Sequence, residues 1–300
     1  MKTLRKIGEF GLIEHIARKI NCDKSVICGI GDDAAVISYT KDKYLLLTTD
    51  MLIEGVHFRR REATFAQIGR KALAVNISDI AAMGGIPKYA VISAGLPRKI
   101  SLRAVNEIMH GINVLARDFG VNIVGGDTVR SKKIVLSVFL VGEVKKRNLT
   151  LRSGARVGDL IFVTGTLGGS RKMKQFNFIP RVKEAQGIIK RFKPTSLIDI
   201  SDGLVSDLQR IAEASKVGAV IFGQSVPVTR GASLKQALYE GEDFELLFTM
   251  SLESARKFYR KDKFPITCIG KIVDKKRGLA LIDRKAMVSP LKHKGFRHFI

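Results

Sequence analysis

The sequence predicts a two-domain α/β or α+β protein, and three observations carry that prediction. The chain has 300 residues, more than a typical single domain needs. Short apolar runs of strand length alternate with longer segments of helical periodicity in both halves. The alternation of apolar and polar residues is lost at Lys145-Lys146-Arg147-Asn148, and a new series of strands and helices follows. This predicts domains over 1–146 and 147–300.

The first half alternates helices with strands. An amphipathic segment over 7–20 predicts an opening helix, and apolar positions at helical spacing predict two more over 65–83 and 101–119. Ser101 is the N-cap of the third helix, and Gly84-Gly85 ends the second. Strands are predicted over 26–31, 34–38, 44–49, 89–96, 122–124 and 134–143, with a turn at Gly125-Gly126-Asp127-Thr128.

The second half begins with a strand over 159–164 and a glycine-rich turn over 165–169. A basic connecting region follows, and then a short strand within 197–204 that turns into a helix ending near Ser215. Further strands are predicted over 219–222, 244–249, 267–273 and 279–282, with a helix over 252–260. Both halves therefore mix the two kinds of element.

The charge balance is strongly basic, with 52 Lys+Arg against 28 Asp+Glu and a net charge of +24. This favours anionic partners, nucleic acid among them. The basic residues are scattered in short groups without a zinc finger or RNP-type motif, so we expect a solvated basic surface and no dedicated nucleic-acid partner. No apolar run approaches the roughly 18 residues of a membrane span, and three scattered cysteines predict no disulfide framework, so we expect a cytoplasmic protein.

A glycine-containing loop, Gly29-Ile30-Gly31-Asp32-Asp33, superficially matches a dinucleotide-binding turn. Its two carboxylates argue against that interpretation, because they would repel a phosphate. A divalent cation with oxygen ligands between loop and phosphate removes the conflict. Whether Asp32 would bind the metal or only support Asp33 stays open.

Carboxylates flanked by apolar residues and glycines recur along this acid-poor chain. They are Asp32, Asp33, Asp50, Asp79, Asp127, Asp199, Asp202, Glu242 and Asp243. Each alone is also typical of a turn former or a helix cap. As a cluster they would need bound cations or paired arginines, and oxygen ligands without His or Cys favour magnesium over zinc. Neither the GxxxxGK[ST] loop nor the HRD and DFG kinase motifs occur, so a phosphorylated or nucleotide substrate would be held in another way.

Seven blocks, in order along almost the whole chain, resemble the signature blocks of the thiamine-monophosphate kinase family. They are GIGDDAAV (29–36), TTDMLIEGVHF (48–58), KALAVNISDIAAMGGIP (71–87), VGGDT (124–128), RSGARVGDLIFVTGTLGGS (152–170), DISDGLVSDL (199–208) and GEDFELLFT (241–249). That family is part of the aminoimidazole-ribonucleotide synthetase superfamily. The resemblance implies an N-terminal α/β domain whose strands form a barrel across a homodimer, and a C-terminal α/β domain that closes the cleft.

The resemblance also implies the reaction and its residues. ATP would phosphorylate thiamine monophosphate to thiamine diphosphate, with several Mg²⁺ ions as cofactors. The implied metal ligands are Asp33, Thr48, Thr49, Asp50, Asp79, Asp127, Asp199 and Asp202, of which Asp127 and Asp202 are the expected catalytic residues. The implied ATP contacts are Gly126, Asp127, Arg152 and Ser201, and the implied acceptor contacts are His57, Glu242 and Phe296.

The chain departs from the family pattern at Gly169, where the family has an aspartate, and it is trimmed after this block and before Gly241. These changes predict a compact C-terminal domain with a modified rim. Two alternatives stay open: another ATP-dependent enzyme of the same superfamily, and a basic nucleic-acid-binding protein on this scaffold.

Overall fold

Two β-sheets with helices packed on them make up the protein. The computed structural model describes residues 3–170, 173–257 and 265–291. Among the described helices, none is both long and apolar enough to cross a bilayer. The predicted mixed α/β class is confirmed.

The first half forms a sheet that, over the described residues, has six strands in the order β1-β2-β3-β6-β4-β5. Its elements are α1 (Leu4–Ala17), β1 (Val26–Cys28), β2 (Ala35–Ser38), β3 (Lys43–Ile53), α2 (Phe65–Ala82), β4 (Ile86–Pro97), α3 (Leu102–Phe119), β5 (Asn122–Ser131) and β6 (Val135–Lys145). The β4 and β5 strands run parallel, and the other neighbours are antiparallel.

The second half forms another sheet, with the order β13-β12-β9-β11-β7-β10-β8 in the part of the chain that is described. Its elements are β7 (Leu160–Thr164), α4 (Lys174–Asn177), α5 (Val182–Phe192), β8 (Ser196–Asp199), α6 (Leu204–Ser215), β9 (Gly218–Phe222), α7 (Leu234–Tyr239), β10 (Leu246–Met250), α8 (Leu252–Arg256), β11 (Ile266–Val273), β12 (Leu279–Ile282) and β13 (Val288–Pro290). We propose the domain boundary at 146/147, directly after the last strand of the first sheet.

Two strands continue past the point where the sequence predicted their end. The turn predicted at 125–128 is wrong, because β5 pairs with β4 from Asn122 to Ser131. Gly126 is needed inside this strand: a Cβ there would lie 1.9 Å from the carbonyl oxygen of Ile92 on β4. Similarly, β3 continues to Ile53, so Thr48, Thr49 and Asp50 lie within a strand and not at its end.

Helix α2 lies between the two sheets and positions much of the site. Thr64 and Gln67 form a capping box at its start. Residues of α2 belong to a hydrophobic core that also takes in side chains of both sheets. Its Gly69 packs against α3 so closely that a Cβ would lie 2.0 Å from the Ile108 carbonyl oxygen. This tight packing fixes the position of α2, whose Val75 and Asp79 line the cavity described below.

Candidate active site

A cavity of about 1000 Å³ opens between the halves of the molecule. Strand β3, helix α2 and the loop that holds Asp32 and Asp33 form one wall. Residues 201–202 and 239–244 of the second half form the opposite wall, and α1 lies at one end. A space of this size between domains is typical of a ligand site.

Three carboxylates from different elements meet at the wall of this cavity, which Asp33 and Asp79 line and behind which Asp199 is buried. Asp33, Asp79 and Asp199 each bring one oxygen to within 4.8 Å of the others. The Thr48 hydroxyl donates to Asp79 Oδ2 at 2.6 Å, and the Ser78 hydroxyl donates to Asp199 Oδ2 at 2.6 Å. These hydroxyls fix the orientation of the two carboxylates.

Burial and mutual repulsion make the charged cluster unfavourable without a cation. Burial, with the Asp33 carboxylate next in importance, raises the pKa of Asp199 to about 7. Burial and the nearby Asp50 raise the pKa of Asp79 well above its ordinary value. Loss of hydration, together with Asp202 and Asp33, raises the pKa of Asp50 to about 6, although Asp50 keeps surface exposed to the cavity.

The donor set fits a hard divalent cation. Asp33 Oδ2 is buried and accepts no hydrogen bond from any described residue. Carboxylate oxygens gathered at this separation, without His or Cys, are the ligands that Mg²⁺ prefers. A bound cation would therefore offset the repulsion that raises these pKa values.

Arg152 is held by the loop that carries Asp32 and Asp33. Its guanidinium donates to Asp33 Oδ1 at 2.6 Å, and its backbone N–H donates to Asp32 Oδ2 at 3.0 Å. Asp32 Oδ1 also accepts from the Asp33 N–H at 3.0 Å. Burial, then the neighbouring Asp33 carboxylate, raises the pKa of Asp32 to about 7. By accepting these two hydrogen bonds, the Asp32 carboxylate orients Asp33 and Arg152.

Ser201 and Asp202 lie in the loop between β8 and α6, and both line the cavity. Arg210 donates to Asp202 Oδ2 and stacks over Phe10 of α1, with its guanidinium carbon 5.0 Å from the ring centroid. Asp207 is buried and accepts from the N–H groups of Asp202 and Gly203, each at 3.1 Å. Arg210 and Asp207 therefore fix the loop that carries Asp202.

His57 and Glu242 both line the cavity, and both contact the ammonium group of Lys71. The His57 ring accepts at Nδ1 from the Ile53 N–H at 3.0 Å. Glu242 has a left-handed backbone (φ 66°) and pairs with the buried Lys71 of α2. Phe296, the third implied acceptor residue, lies outside the described residues.

Asp127 and Gly126 lie away from this cavity. Asp127 is exposed on β5, and its register partners across the sheet are Ser93, Ser137 and Met51 in turn. Three strand spacings correspond to about 14 Å. The pleat places Asp127, Met51 and Thr49 on the exposed face of the sheet, opposite to Thr48 and Asp50.

The glycine-rich turn at 165–169 contacts a carboxylate of its own chain. The N–H groups of Gly168 and Gly169 donate to Asp243, at 2.7 and 3.1 Å. Lys174 lies 3.0 Å from Glu245 and 3.4 Å from Asp243. Asp243 is thus part of an internal ionic network, and this turn is not a free phosphate cradle.

Several residues of the site had not been singled out from the sequence. They are Lys71, Asn76, Ser78, Asp207 and Arg210. Three of them share a signal that the sequence does contain: a polar residue inside the apolar run of α2, where it has to be buried. Asp207 has a similar signal, because it stands at helical spacing with the apolar Leu204, Leu208 and Ile211, whereas Arg210 occurs at an ordinary polar position of this amphipathic helix.

A pH-dependent effect of magnesium on stability is expected from the carboxyl pKa values. Asp199, with a folded pKa of about 7 against an ordinary 3.8, binds a proton in the folded protein where the unfolded chain has lost it. Without metal, its contribution to stability therefore falls as pH rises from about 4 to about 7. Mg²⁺ competes with this proton, so it should raise the melting temperature more at about pH 8 than at about pH 5.5. Thermal unfolding in EDTA and in Mg²⁺ at matched ionic strength measures this, and an equal shift at both pH values would contradict it.

Comparisons with known proteins cover the whole chain. The model of the AIR synthase related protein, N-terminal domain, matches residues 31–144. Thiamine-monophosphate kinase of Bacillus subtilis is 36% identical over 98% of this chain and 100% of its own length. The enzyme of the same name from Aquifex aeolicus is 36% identical over 99% of both chains. The solved structure of AaThiL complexed with AMPPCP and TMP superposes with a TM-score of 0.87 at 33% identity, covering 100% of this chain and 99% of that one.

Proposed function

The chain belongs to the thiamine-monophosphate kinase family, and we propose that it phosphorylates thiamine monophosphate in this cavity through Mg²⁺ held by its buried carboxylates. It is a kinase: ATP gives up its γ-phosphoryl group, and the products are ADP and thiamine diphosphate. The observation that carries the proposal is the meeting of Asp33, Asp79 and the buried Asp199 at the wall of the cavity. The match to a structure that holds both AMPPCP and TMP supports the pair of substrates.

Magnesium would be held by residues on both walls of the cavity. Asp33, Asp79 and Asp199 are the central ligands, and Thr48, Asp50 and Asp202 adjoin them. When bound, the ions would neutralise and align the two phosphate groups, which is the main requirement of phosphoryl transfer. Thr48 and Ser78 keep the carboxylates oriented for this task.

The remaining charges of the cavity serve the substrates. The attacking phosphate oxygen of the acceptor is already ionised near neutral pH, so the reaction needs no general base. Arg152 and Ser201 are proposed to contact ATP. Arg152 also neutralises the charge of Asp33, with which it forms an ion pair that is largely shielded from solvent. His57 and Glu242, which also line the cavity, are proposed to bind thiamine monophosphate.

A homodimer is proposed from the exposed face of the first sheet. Met51 and Tyr89 are each 50% exposed there, and Phe139 and Val129 lie on the same face. Within the described residues, β5 pairs with β4 alone, so its other edge keeps free hydrogen-bonding groups. An apolar face beside an open edge is covered in most proteins, and a second copy would cover both.

The same dimer would explain the position of Asp127. The resemblance places Asp127 and Gly126 at the ATP and metal site, yet one copy separates Asp127 from Met51 by three strand spacings, about 14 Å. Asp127 is on the face of the sheet that the partner would cover, and Thr49, which also lines the cavity, is on the same face. We therefore propose that each site takes Gly126 and Asp127 from the partner copy.

A coupled assay of ADP release tests the proposed function. With Mg²⁺ and ATP, adding thiamine monophosphate should raise ADP release by at least about 100-fold, since the acceptor is required for turnover. EDTA should abolish the activity. Release of ADP without the acceptor would point to another ATP-dependent reaction of the superfamily. Steeply salt-dependent RNA binding without any ATP turnover would favour the nucleic-acid alternative instead.

A further inference from the structure

Lys71 is a charged residue with 0% of its surface exposed. Its ammonium group donates to the His57 carbonyl oxygen at 3.0 Å, to Gln175 Oε1 at 2.8 Å, and to Glu242 Oε1. It also lies 5.0 Å from the centroid of the Phe176 ring. Burial lowers the pKa of Lys71, while Glu242 opposes that shift. Each of the three N–H groups of the ammonium therefore donates one hydrogen bond, and these bonds offset the cost of burying the charge.

The three acceptors come from separate parts of the chain. His57 follows β3 in the first half, Gln175 lies in α4, and Glu242 lies in the loop between α7 and β10 of the second half. The Glu242 backbone is left-handed, and its N–H donates to the Ser201 carbonyl oxygen at 2.7 Å. Lys71 thus links both walls of the cavity at the end where His57 and Glu242 meet.

We propose that Lys71 is a positioning residue for the acceptor substrate. It contacts no ligand itself; it fixes the Glu242 carboxylate and the His57 segment at the spacing that thiamine monophosphate requires. Glu242 is still 33% exposed, so its carboxylate can meet the cationic thiazolium or the aminopyrimidine of the acceptor. This inference rests on the proposed function, because it assigns Lys71 to the acceptor end of that site. A buried ion pair that already holds a ligand-contacting side chain in place improves binding, because that side chain then loses less conformational entropy when the ligand binds.

The effect of Lys71→Met on the two Michaelis constants tests this role. We expect the KM for thiamine monophosphate to rise about 10- to 100-fold, with the KM for ATP and kcat changed by less than about threefold. A residue that only stabilised the fold would instead lower the active fraction, and so kcat, without changing either KM. Acceptor protection provides a second readout: thiamine monophosphate should no longer raise the melting temperature, while the ATP analogue AMPPCP still should.

Arg70 offers a matched control on the same helix. Its guanidinium donates to the carbonyl oxygens of Phe176 and Phe178 and lies 6.0 Å from the Phe178 ring centroid. It therefore secures the same α4 segment without touching His57 or Glu242. Arg70→Met should lower the melting temperature, yet its KM for thiamine monophosphate should stay within about twofold of the wild type.

A double-mutant cycle with Glu242→Gln completes the test. If Lys71 acts through Glu242, adding K71M to E242Q should raise the acceptor KM by less than about twofold further. An unchanged acceptor KM in K71M, an equal rise in R70M, or full additivity with E242Q would each overturn the positioning role. If K71M does not fold, the same KM values are measured for Lys71→Gln, which keeps a hydrogen-bond donor. A wild-type protein that turns over no thiamine monophosphate would overturn the proposed function as well.

Discussion

Asp79→Asn is expected to lower kcat by at least about 100-fold, because replacing even a partner of a metal ligand commonly costs 10- to 100-fold. Asp79 brings an oxygen to within 4.8 Å of Asp33 and Asp199. Asparagine keeps the shape and can still accept the hydrogen bond of the Thr48 hydroxyl, but it removes one negative charge from the cluster. The loss should therefore fall on cation binding and phosphoryl transfer and not on the local fold.

Stability separates this explanation from a simple folding defect. Burial and the neighbouring carboxylates Asp50 and Asp199 raise the pKa of Asp79, so its charge is unfavourable in the metal-free protein. Asp79→Asn should thus leave the melting temperature in EDTA equal to that of the wild type or higher, while weakening the stabilisation by Mg²⁺. Steady-state kinetics and thermal unfolding on the same samples measure both effects. More than about a tenth of the wild-type kcat at saturating Mg²⁺ would show that Asp79 is not a ligand.

Asp159→Asn is the matched control for the loss of a buried carboxylate. Asp159 is 4% exposed, and its Oδ2 accepts from the Arg156 N–H at 2.8 Å and the Thr195 hydroxyl at 2.7 Å. It precedes β7 and is outside the cavity lining. Its replacement should lower the melting temperature and leave kcat near that of the wild type, the opposite of the pattern expected for Asp79.

Sequence periodicity predicted the elements whose burial is local and regular. The helix expected over 65–83 is Phe65–Ala82, and the strand expected over 134–143 is Val135–Lys145. The start of β5 is predicted over 122–124, but its stretch 125–128 was mistaken for a turn because Gly125 and Gly126 are turn formers, and only pairing with β4 makes that stretch a strand. Helix α5 was missed although Val182, Ala185 and Ile189 have helical spacing, because its many charges suggested a basic connection.

The candidate site could be predicted where chemistry selects the residue type. In an acid-poor chain, carboxylates among apolar neighbours have few other uses, and Asp33, Asp79 and Asp199 do meet in one cluster. The contacts of the supporting residues could not be predicted in the same way, because Arg210 stacks over Phe10 of α1 and Lys71 pairs with Glu242, and both contacts span the two halves. The implied ligand roles themselves stay predictions that the variants above test.

Asp127→Asn should abolish phosphoryl transfer to about the same extent as Asp79→Asn, if each site takes Asp127 from the partner copy. Asp127 accepts a hydrogen bond only from the N–H of Thr128 among the described residues, and it is exposed on an edge strand. Replacing it should therefore leave the fold and the melting temperature unchanged. Size-exclusion chromatography with light scattering establishes whether the wild-type protein and this variant are dimers, and a monomeric, fully active wild type would refute the shared site.

A mixture of the two inactive variants gives the decisive result. In a dimer of one Asp79→Asn copy and one Asp127→Asn copy, one site combines both intact residues and the other combines both lesions. Random pairing makes about half of the dimers mixed, so co-expression should restore about a quarter of the wild-type activity from two proteins that are inactive alone. If Asp127 served the cavity of its own chain, every site would carry one lesion and the mixture would stay inactive. The recovered activity therefore reports directly on whether β5 of one copy completes the carboxylate cluster of the other.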